Sequence, residues 1–240
     1  MKTNKSNTVE FTNTKVGFLL PKDKIVDRDN FILDLCKNKK VLHIGCTDYP
    51  FLETKIISKN LLHIKILNVA KELYGIDIDI KGIKLLREKY NIDNVICEDI
   101  TNKEIKLPMI YDIIIAGEIF EHLDNIGLAL NNVYKFLADN GLLIVTVPNA
   151  LAFRIFFHTL RKRENIHPDH VSYFSPYTLY NLLKRHKFIS TKILSYSYAS
   201  NRPIINKIKT FIFNILSMHF AFFSDGIIIL AKKDLSITND

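Results

Sequence analysis

The chain has 240 residues, 48% of them hydrophobic, with only eight glycines and seven prolines, which supports one sizeable core and argues against disorder over most of the length. Its three cysteines, Cys36, Cys46 and Cys97, have no paired spacing, so neither a disulfide framework nor a cysteine zinc motif is expected, and the usage suits a reduced, cytoplasmic protein. The formal net charge of +8 favours an anionic partner, or records only a lysine-rich composition, and names no ligand.

Residues 1–30 read as an N-terminal arm or lid, without clear periodicity as far as Asp27. The apolar piece VGFLL is too short for a signal peptide, and no uninterrupted apolar run reaches the roughly 20 residues that span a bilayer. KKVLHIGC (Lys39–Cys46) is a short, partly β-branched run ending at glycine, a buried strand. FLETKIISKNLLHIKILNVA then carries Ile56, Ile57, Leu61, Ile64 and Leu67 at helical spacing, which predicts one long helix. ELYGIDID is a second strand and IKGIKLLREKY a second helix; NVICEDI and YDIIIAG are the third and fourth strands. A helix from Asn125 to Leu137 would bury Leu130, Val133, Tyr134 and Leu137, with Asp139-Asn140-Gly141 stopping it. GLLIVTVPN is the fifth strand. Continuous apolar strands alternating with helices predict a parallel sheet covered on both faces.

Beyond Pro148 the alternation loosens. ALAFRIFFHTL predicts a helix, RKRENIHPDHVSYFSP a charged loop, and Ser175 followed by Pro176 a capped helix start. KILSYSY and DGIIILAKK are two closing strands. Between them, residues 203–223 are apolar and aromatic: a core-packed helix, a peripheral contact with a membrane surface, or a cover over a greasy acceptor. No repeat or linker divides the chain, so residues 31–240 are expected to form one domain, with 150–225 building its acceptor side.

Ligands of open α/β sheets bind beyond the carboxyl ends of the strands. Here those ends are polar in succession: Gly45-Cys46-Thr47-Asp48, then Asp77 and Asp79, then Glu98 and Asp99, then Gly117 and Glu118. Taken singly each acid suits a turn or a helix cap, and Asp79 suits a cap best. Taken together they suit a ligand with ribose hydroxyls and amino groups.

VLHIGC, YGIDID, CEDI, YDIIIAGEIFEHL, GLLIVTVPN and HPDHVSYFSPYTLYNLLKRHKF stand in an order and spacing that resemble a class I S-adenosylmethionine-dependent methyltransferase, near the ubiquinone-biosynthesis O-methyltransferases. The resemblance implies a Rossmann-like doubly wound α/β sheet, mostly parallel with an antiparallel last strand and helices on both faces. It implies S-adenosyl-L-methionine as cofactor. The contacts it carries over are His43, Gly45, Cys46 and Asp48 in the first loop, Asp77 and Ile78 at the ribose, Asp99 and Ile100 at the adenine, and Ala116, Gly117 and Glu118 at the methionyl end. The family's first motif usually reads acid-x-Gly-x-Gly-x-Gly. This chain has His43 for the acid and Thr47 and Tyr49 for two glycines, with Asp48 a candidate replacement acid.

The stretch GEIFEHLDN spaces Glu118, Glu121 and His122 at i, i+3 and i+4, one side of a helical turn. Two carboxylates in a cleft raise each other's pKa unless a cation neutralises them. By similarity to the metal site of small-RNA 2′-O-methyltransferases, Glu118, Glu121, His122 and His170 are candidate ligands for Mg²⁺ or another divalent cation. The metal-free alternative is acid/base catalysis by Glu121, His122 and His170. His167, beside Pro168, is expected to be a loop or substrate contact. The expected reaction is O-methylation of a small molecule, sugar, or glycan or lipid-linked precursor in the cytoplasm or at a membrane surface. RNA 2′-O-methylation and a non-catalytic binding subunit are the alternatives; against nucleic acid, the basic residues are spread rather than clustered.

Overall fold

A computed structural model describes residues 8–14, 17–20, 24–198 and 221–236. The elements in chain order are β1 (Asn13–Thr14), β2 (Gly17–Phe18), β3 (Ile25–Val26), α1 (Arg28–Cys36), β4 (Lys40–Ile44), α2 (Leu52–Ile57), α3 (Leu62–Leu67), β5 (Glu72–Asp77), α4 (Ile80–Tyr90), β6 (Val95–Cys97) and β7 (Tyr111–Gly117). A 3₁₀ turn (Phe120–His122) leads into α5 (Ile126–Phe136), β8 (Leu137–Pro148), α6 (Phe153–Leu160), α7 (Pro176–Arg185) and β9 (Phe188–Tyr196), and a second 3₁₀ turn (Ala221–Phe223) precedes β10 (Gly226–Lys233).

Eight strands form the main sheet in the order β3-β9-β10-β8-β7-β4-β5-β6. β6, β5, β4, β7 and β8 run parallel, and β10 runs antiparallel to both β8 and β9. This is the Rossmann-like arrangement with an antiparallel last strand. The chain leaves β4 first toward β5 and β6, then returns to β7 on the other side. The switch point therefore lies between β4 and β7, where a doubly wound sheet opens a crevice.

Alternation along each strand feeds two cores. Ile114 and Ala116 of β7 face α5 and α7 through Leu130, Val133, Leu179 and Leu183. Ile113 and Ile115 face α1 and α3 through Ile32, Cys36, Leu62 and Ile66. Each fully buried branched side chain contributes about 1.5–3 kcal/mol, so both faces must be covered. Helix α4 spans IKGIKLLREKY as its periodicity predicts, with Asn91 in the left-handed conformation ending it. Helix α7 starts at the Ser175 cap, where Ser175 and Thr178 form a reciprocal capping box.

Two expectations are corrected. The long helix over residues 51–70 is two short ones: Lys59 takes φ +57° and breaks the chain between α2 and α3. The buried face is then Leu52, Leu61, Leu62 and Ile66, while Ile57 and Leu67 are exposed. Asp139-Asn140-Gly141 does not separate a helix from a strand; β8 begins at Leu137, and the irregularity is absorbed as a register shift against β7. Within the segment expected as an arm or lid, Ile25–Val26 adds a parallel edge strand to β9, Phe18 stacks on Tyr177, and Arg28 opens α1. The expected features of residues 203–220 lie outside the described residues.

Gly226 starts β10 directly over the Tyr196 ring, where an added Cβ would come within 2.1 Å of the ring carbon bearing the hydroxyl. Gly226→Ala should destabilise the protein by roughly 1–3 kcal/mol, read as a lowered midpoint in thermal unfolding; an unchanged midpoint would show that Tyr196 can move aside freely.

Candidate active site

The loop after β4 is positioned by its neighbour strand. Gly45 N–H donates to the Ile76 carbonyl at 2.9 Å, and Gly45 holds φ +76° with Ile119 packed where a side chain would sit. Thr47 donates to Asp77 Oδ2 twice, from its N–H at 2.9 Å and its hydroxyl at 2.8 Å. Asp79 N–H donates to Asp77 Oδ1 at 3.0 Å. Asp77 thus ties the glycine-poor loop to β5 and keeps acceptor capacity on Oδ1 for a diol. Ile78 beside it is 74% exposed, an apolar surface at the mouth of the crevice. Tyr49 is 72% exposed and does not fill the hollow.

The other residues expected near the cofactor sit as follows. Cys46 is buried beneath the loop, and burial raises its thiol pKa well above the ordinary value. Asp48, left-handed at φ +56°, pairs with Lys55. Asp99 is exposed and accepts from Thr101 N–H at 2.7 Å and its hydroxyl at 2.8 Å, a turn cap that leaves Oδ2 open. Ile100 is buried in the core against α5 rather than displayed, with its carbonyl accepting from Asn132. Asp79 stands at the α4 N-cap without a side-chain cap bond. His43 is buried, with its Nδ1 3.3 Å from Nδ1 of His63, and burial followed by His63 lowers its pKa.

Glu118 departs most from the expected picture. It holds φ +56°, and the next turn is 3₁₀ rather than α, so the i, i+3, i+4 alignment with Glu121 and His122 does not form. Its carboxylate turns toward β8 and β9, accepting from Thr146 Oγ1 at 3.2 Å, from the Tyr198 hydroxyl at 2.6 Å and from the Tyr196 hydroxyl. Arg28 reaches the same place: Nε donates to Thr146 Oγ1 at 3.2 Å, and Nη2 lies 2.7 Å from where a Cβ on Gly117 would stand. Ala116 is buried in β7, and Gly117 ends that strand against the guanidinium. An anionic and a cationic group side by side fit the ammonium and carboxylate of an amino-acid moiety. Arg28, Thr146, Tyr196 and Tyr198 were missed by the sequence reading. One signal existed: Arg28 opens α1, where the helix dipole disfavours a cation.

Glu121 is 1% exposed and neither carboxyl oxygen has a partner among the described residues. Burial, reinforced by Glu118, pushes its pKa up to about 9, so it is a neutral acid at pH 7. Its carbonyl accepts from Val171 at 2.8 Å and Ser172 at 3.2 Å, which docks the HPDHVS loop. That docking brings three imidazoles together. His122 lies 4.6 Å from His170 and 5.7 Å from His167 between ring centroids, and one nitrogen from each can be chosen so that all three lie within 4.8 Å. Burial, and then neighbouring histidines, lowers the pKa of His122 and of His170, which favours the neutral form able to accept a proton. The carboxylates of Glu118 and Glu121 are not in this group.

A polar crevice at the sheet's switch point, a carboxylate and a guanidinium bridged by Thr146, and a base cluster beyond them decide the class once set beside known proteins. Residues 22–189 match a family model described as a methyltransferase domain, seven-tenths of the chain. The chain belongs to the methyltransferase domain family. It is a class I S-adenosylmethionine-dependent methyltransferase. The methyltransferase is 28% identical over 138 residues to malonyl-[acyl-carrier protein] O-methyltransferase of Bacillus cytotoxicus, covering 55% of this chain and 44% of that protein. It thus spans less than half the length of that curated relative. Among solved structures it superposes on the N-methyltransferase NodS of Bradyrhizobium japonicum at 17% identity, covering 86% of this chain and 94% of that one, with TM-score 0.53. NodS has also been crystallised with S-adenosyl-L-homocysteine. A methyltransferase from Archaeoglobus fulgidus superposes at 22% identity over 85% and 90% of the two chains, with TM-score 0.55. These likenesses below 25% establish the fold alone.

Glu121→Gln separates a buried neutral acid from a charged ligand. A carboxyl whose folded-state pKa is about 9 and whose unfolded-state value is near 4.5 must take up a proton to fold at any pH between the two, at a cost of about 1.4 kcal/mol per pH unit above 4.5. The amide lacks this cost. Glu121→Gln should therefore be more stable than the wild type at pH 8, with the gain shrinking to nothing toward pH 4.5; a variant less stable at pH 8 would mean that the charged form is the native one.

Proposed function

We propose that this methyltransferase methylates a hydroxyl of a small molecule, sugar or glycan precursor, with His122 or His170 as general base. The observation that supports this is the cluster of neutral imidazoles beyond β7. An amine acceptor is nucleophilic as it stands near its pKa, whereas an alcohol must lose a proton as it attacks, and a positioned base contributes about 10²–10⁴-fold. The relative's O-methyltransferase name points the same way.

When bound, S-adenosylmethionine supplies a methyl group already activated by its sulfonium. The chain's residues do the rest. Asp77 would accept from the ribose hydroxyls, Ile78 would pack on the adenine, and Arg28 and Glu118 would hold the amino-acid end. Transfer forms a carbon–oxygen bond as the carbon–sulfur bond breaks, and the hydroxyl proton passes to an imidazole nitrogen. Orientation of the acceptor supplies much of the remaining acceleration. The acceptor would enter beside the end of β8, where a cavity of about 540 Å³ is lined by Ala150, Ile155, Thr159, Lys162, Arg163, Glu164 and Tyr173.

A second reading has one specific support. Three histidine nitrogens within 4.8 Å could hold a divalent cation such as Mn²⁺ or Fe²⁺, which would lower the pKa of a bound hydroxyl. The ligand set would then be His122, His167 and His170, in place of the carboxylates anticipated from spacing.

With tritiated cofactor and a panel of hydroxylated acceptors, His122→Ala or His170→Ala should cut turnover by about 10²–10⁴-fold while calorimetric affinity for S-adenosylhomocysteine stays unchanged. Full turnover in both variants would remove the base. His167→Ala divides the two readings. Under metal-free catalysis its turnover stays within a few-fold and chelator has no effect. Under metal catalysis it falls with the other two, and Mn²⁺ restores chelated wild-type enzyme only.

A further inference from the structure

Helix α6 is the one α-helix of the described residues without a buried residue, although its sequence is FRIFFHTL. At about 100° per residue, Phe153, Phe156, Phe157 and Leu160 fall within an arc of about 100°. Phe156 is 56% exposed, Phe157 41% and Leu160 64%, and Leu151 just before the helix is 42% exposed. Ile155 and Thr159, on the opposite side, line the cavity beyond β8. The apolar stripe thus points away from the site while the other face serves it. An aromatic and aliphatic surface of this kind on a soluble domain marks an interaction face.

Charge chooses the partner. From Asn149 to Arg163 there are four arginines and lysines and no acid. Arg154 is tied to Asp225 at 3.2 Å, but Arg161, Lys162 and Arg163 form no ion pair among the described residues and are fully on the surface. They follow directly on the helix, with Lys162 turned by φ +56°, so the cations rim the end of the apolar stripe. No helix of the described residues is long and apolar enough to cross a membrane, and α6, at eight residues, could meet a bilayer only in the interface.

We propose that α6 and Arg161–Arg163 form a docking surface for an anionic lipid bilayer. Phe156, Phe157 and Leu160 enter the headgroup–acyl boundary, and the three cations meet lipid phosphates and carboxylates. This is the arrangement of an interfacial helix, in which apolar burial and charge attraction add. It goes beyond the proposed chemistry and does not depend on the acceptor being a hydroxyl. The helix then meets the bilayer with one face and lines the cavity with the other.

The full chain should float with vesicles of seven parts phosphatidylcholine to three parts phosphatidylglycerol, and not with pure phosphatidylcholine, and the binding should weaken in high salt. Arg161→Gln, Lys162→Gln and Arg163→Gln together should weaken binding by roughly fivefold per charge removed. Phe156→Glu with Leu160→Glu should abolish it. Retained calorimetric binding of S-adenosylhomocysteine would certify that both variants are folded. Failure of the wild-type chain to float with anionic vesicles overturns the proposal and leaves the face to an acidic protein or to the chain's own residues; flotation unaffected by either variant overturns it equally.

Discussion

One carboxylate orders the crevice on which everything else is built. Asp77 ends β5 and receives three hydrogen bonds, two from Thr47 and one from Asp79 N–H. Charge-assisted bonds of this kind are about twice as strong as neutral ones. They replace by side-chain chemistry what glycines usually supply by conformational freedom. Room is needed for this, and Gly82 of α4 provides it: a Cβ there would lie 2.9 Å from Thr47 Cγ2 and 2.3 Å from Asp79 Oδ2. Side-chain hydrogen bonds therefore fix the path of this glycine-poor loop. Holding the loop and presenting a free lone pair to a diol are compatible on one carboxylate, because Oδ2 does the first and Oδ1 retains capacity for the second.

A second carboxylate organises the opposite wall. Glu118 lies where the chain leaves β7, in a backbone conformation that disfavours a branched or bulky residue but is tolerated here. Its three partners come from two distant segments: Thr146 on β8, and Tyr196 at the end of β9 with Tyr198 just beyond. Arg28, from the helix before the first parallel strand, adds the opposite charge. Burial and then Glu118 raise the pKa of both tyrosines, so they remain hydroxyl donors. The N-terminal segment therefore contributes to the site itself: β3 pairs with β9 and delivers Asp27, the cap of α1, and through it Arg28.

These long separations explain what could be read in advance. Periodicity found α4 and β7 to the residue and α7 from its cap, because those signals are local and no tertiary contact opposes them. The apolar spacing over residues 51–70 was equally strong, yet a left-handed Lys59 broke it, and nothing local requires lysine to be left-handed. That Asp77 would end a strand beside the first loop was legible from the apolar run before it; its bonds from Thr47, 30 residues away, were not. The direction of Glu118 was not, since its partners lie 28, 78 and 80 residues away. Spacing in GEIFEHL assumes an α-turn; a 3₁₀ turn with a left-handed residue before it rotates Glu118 out of the group. His167 joined the imidazoles because the main chain of Glu121 docks the loop, a contact with no sequence signature.

His43 stands where related chains carry an acid, and its surroundings show why an imidazole is stable there. The residue paired with it on β5 is Gly75. A side chain at that position would come within 2.7 Å of His63 Cε1 and 2.8 Å of Cys46 Sγ, so the glycine lets His63 reach across from α3. The two rings lie nearly parallel, 15° apart, with Nδ1 to Nδ1 at 3.3 Å. One must donate and the other accept, so the acceptor ring at least is neutral. Burial lowers the pKa of His63 to about 4, and for His43 burial, His63, Arg28 and Lys55 all act in the same direction. A carboxylate in this buried place would have to meet full desolvation, whereas a neutral imidazole pair costs far less. His43, Gly75 and His63 are thus one adapted unit. Its consequence is that β4 ends in a neutral pair, and the carboxylate nearest the first loop on the neighbouring strand is Asp77 of β5.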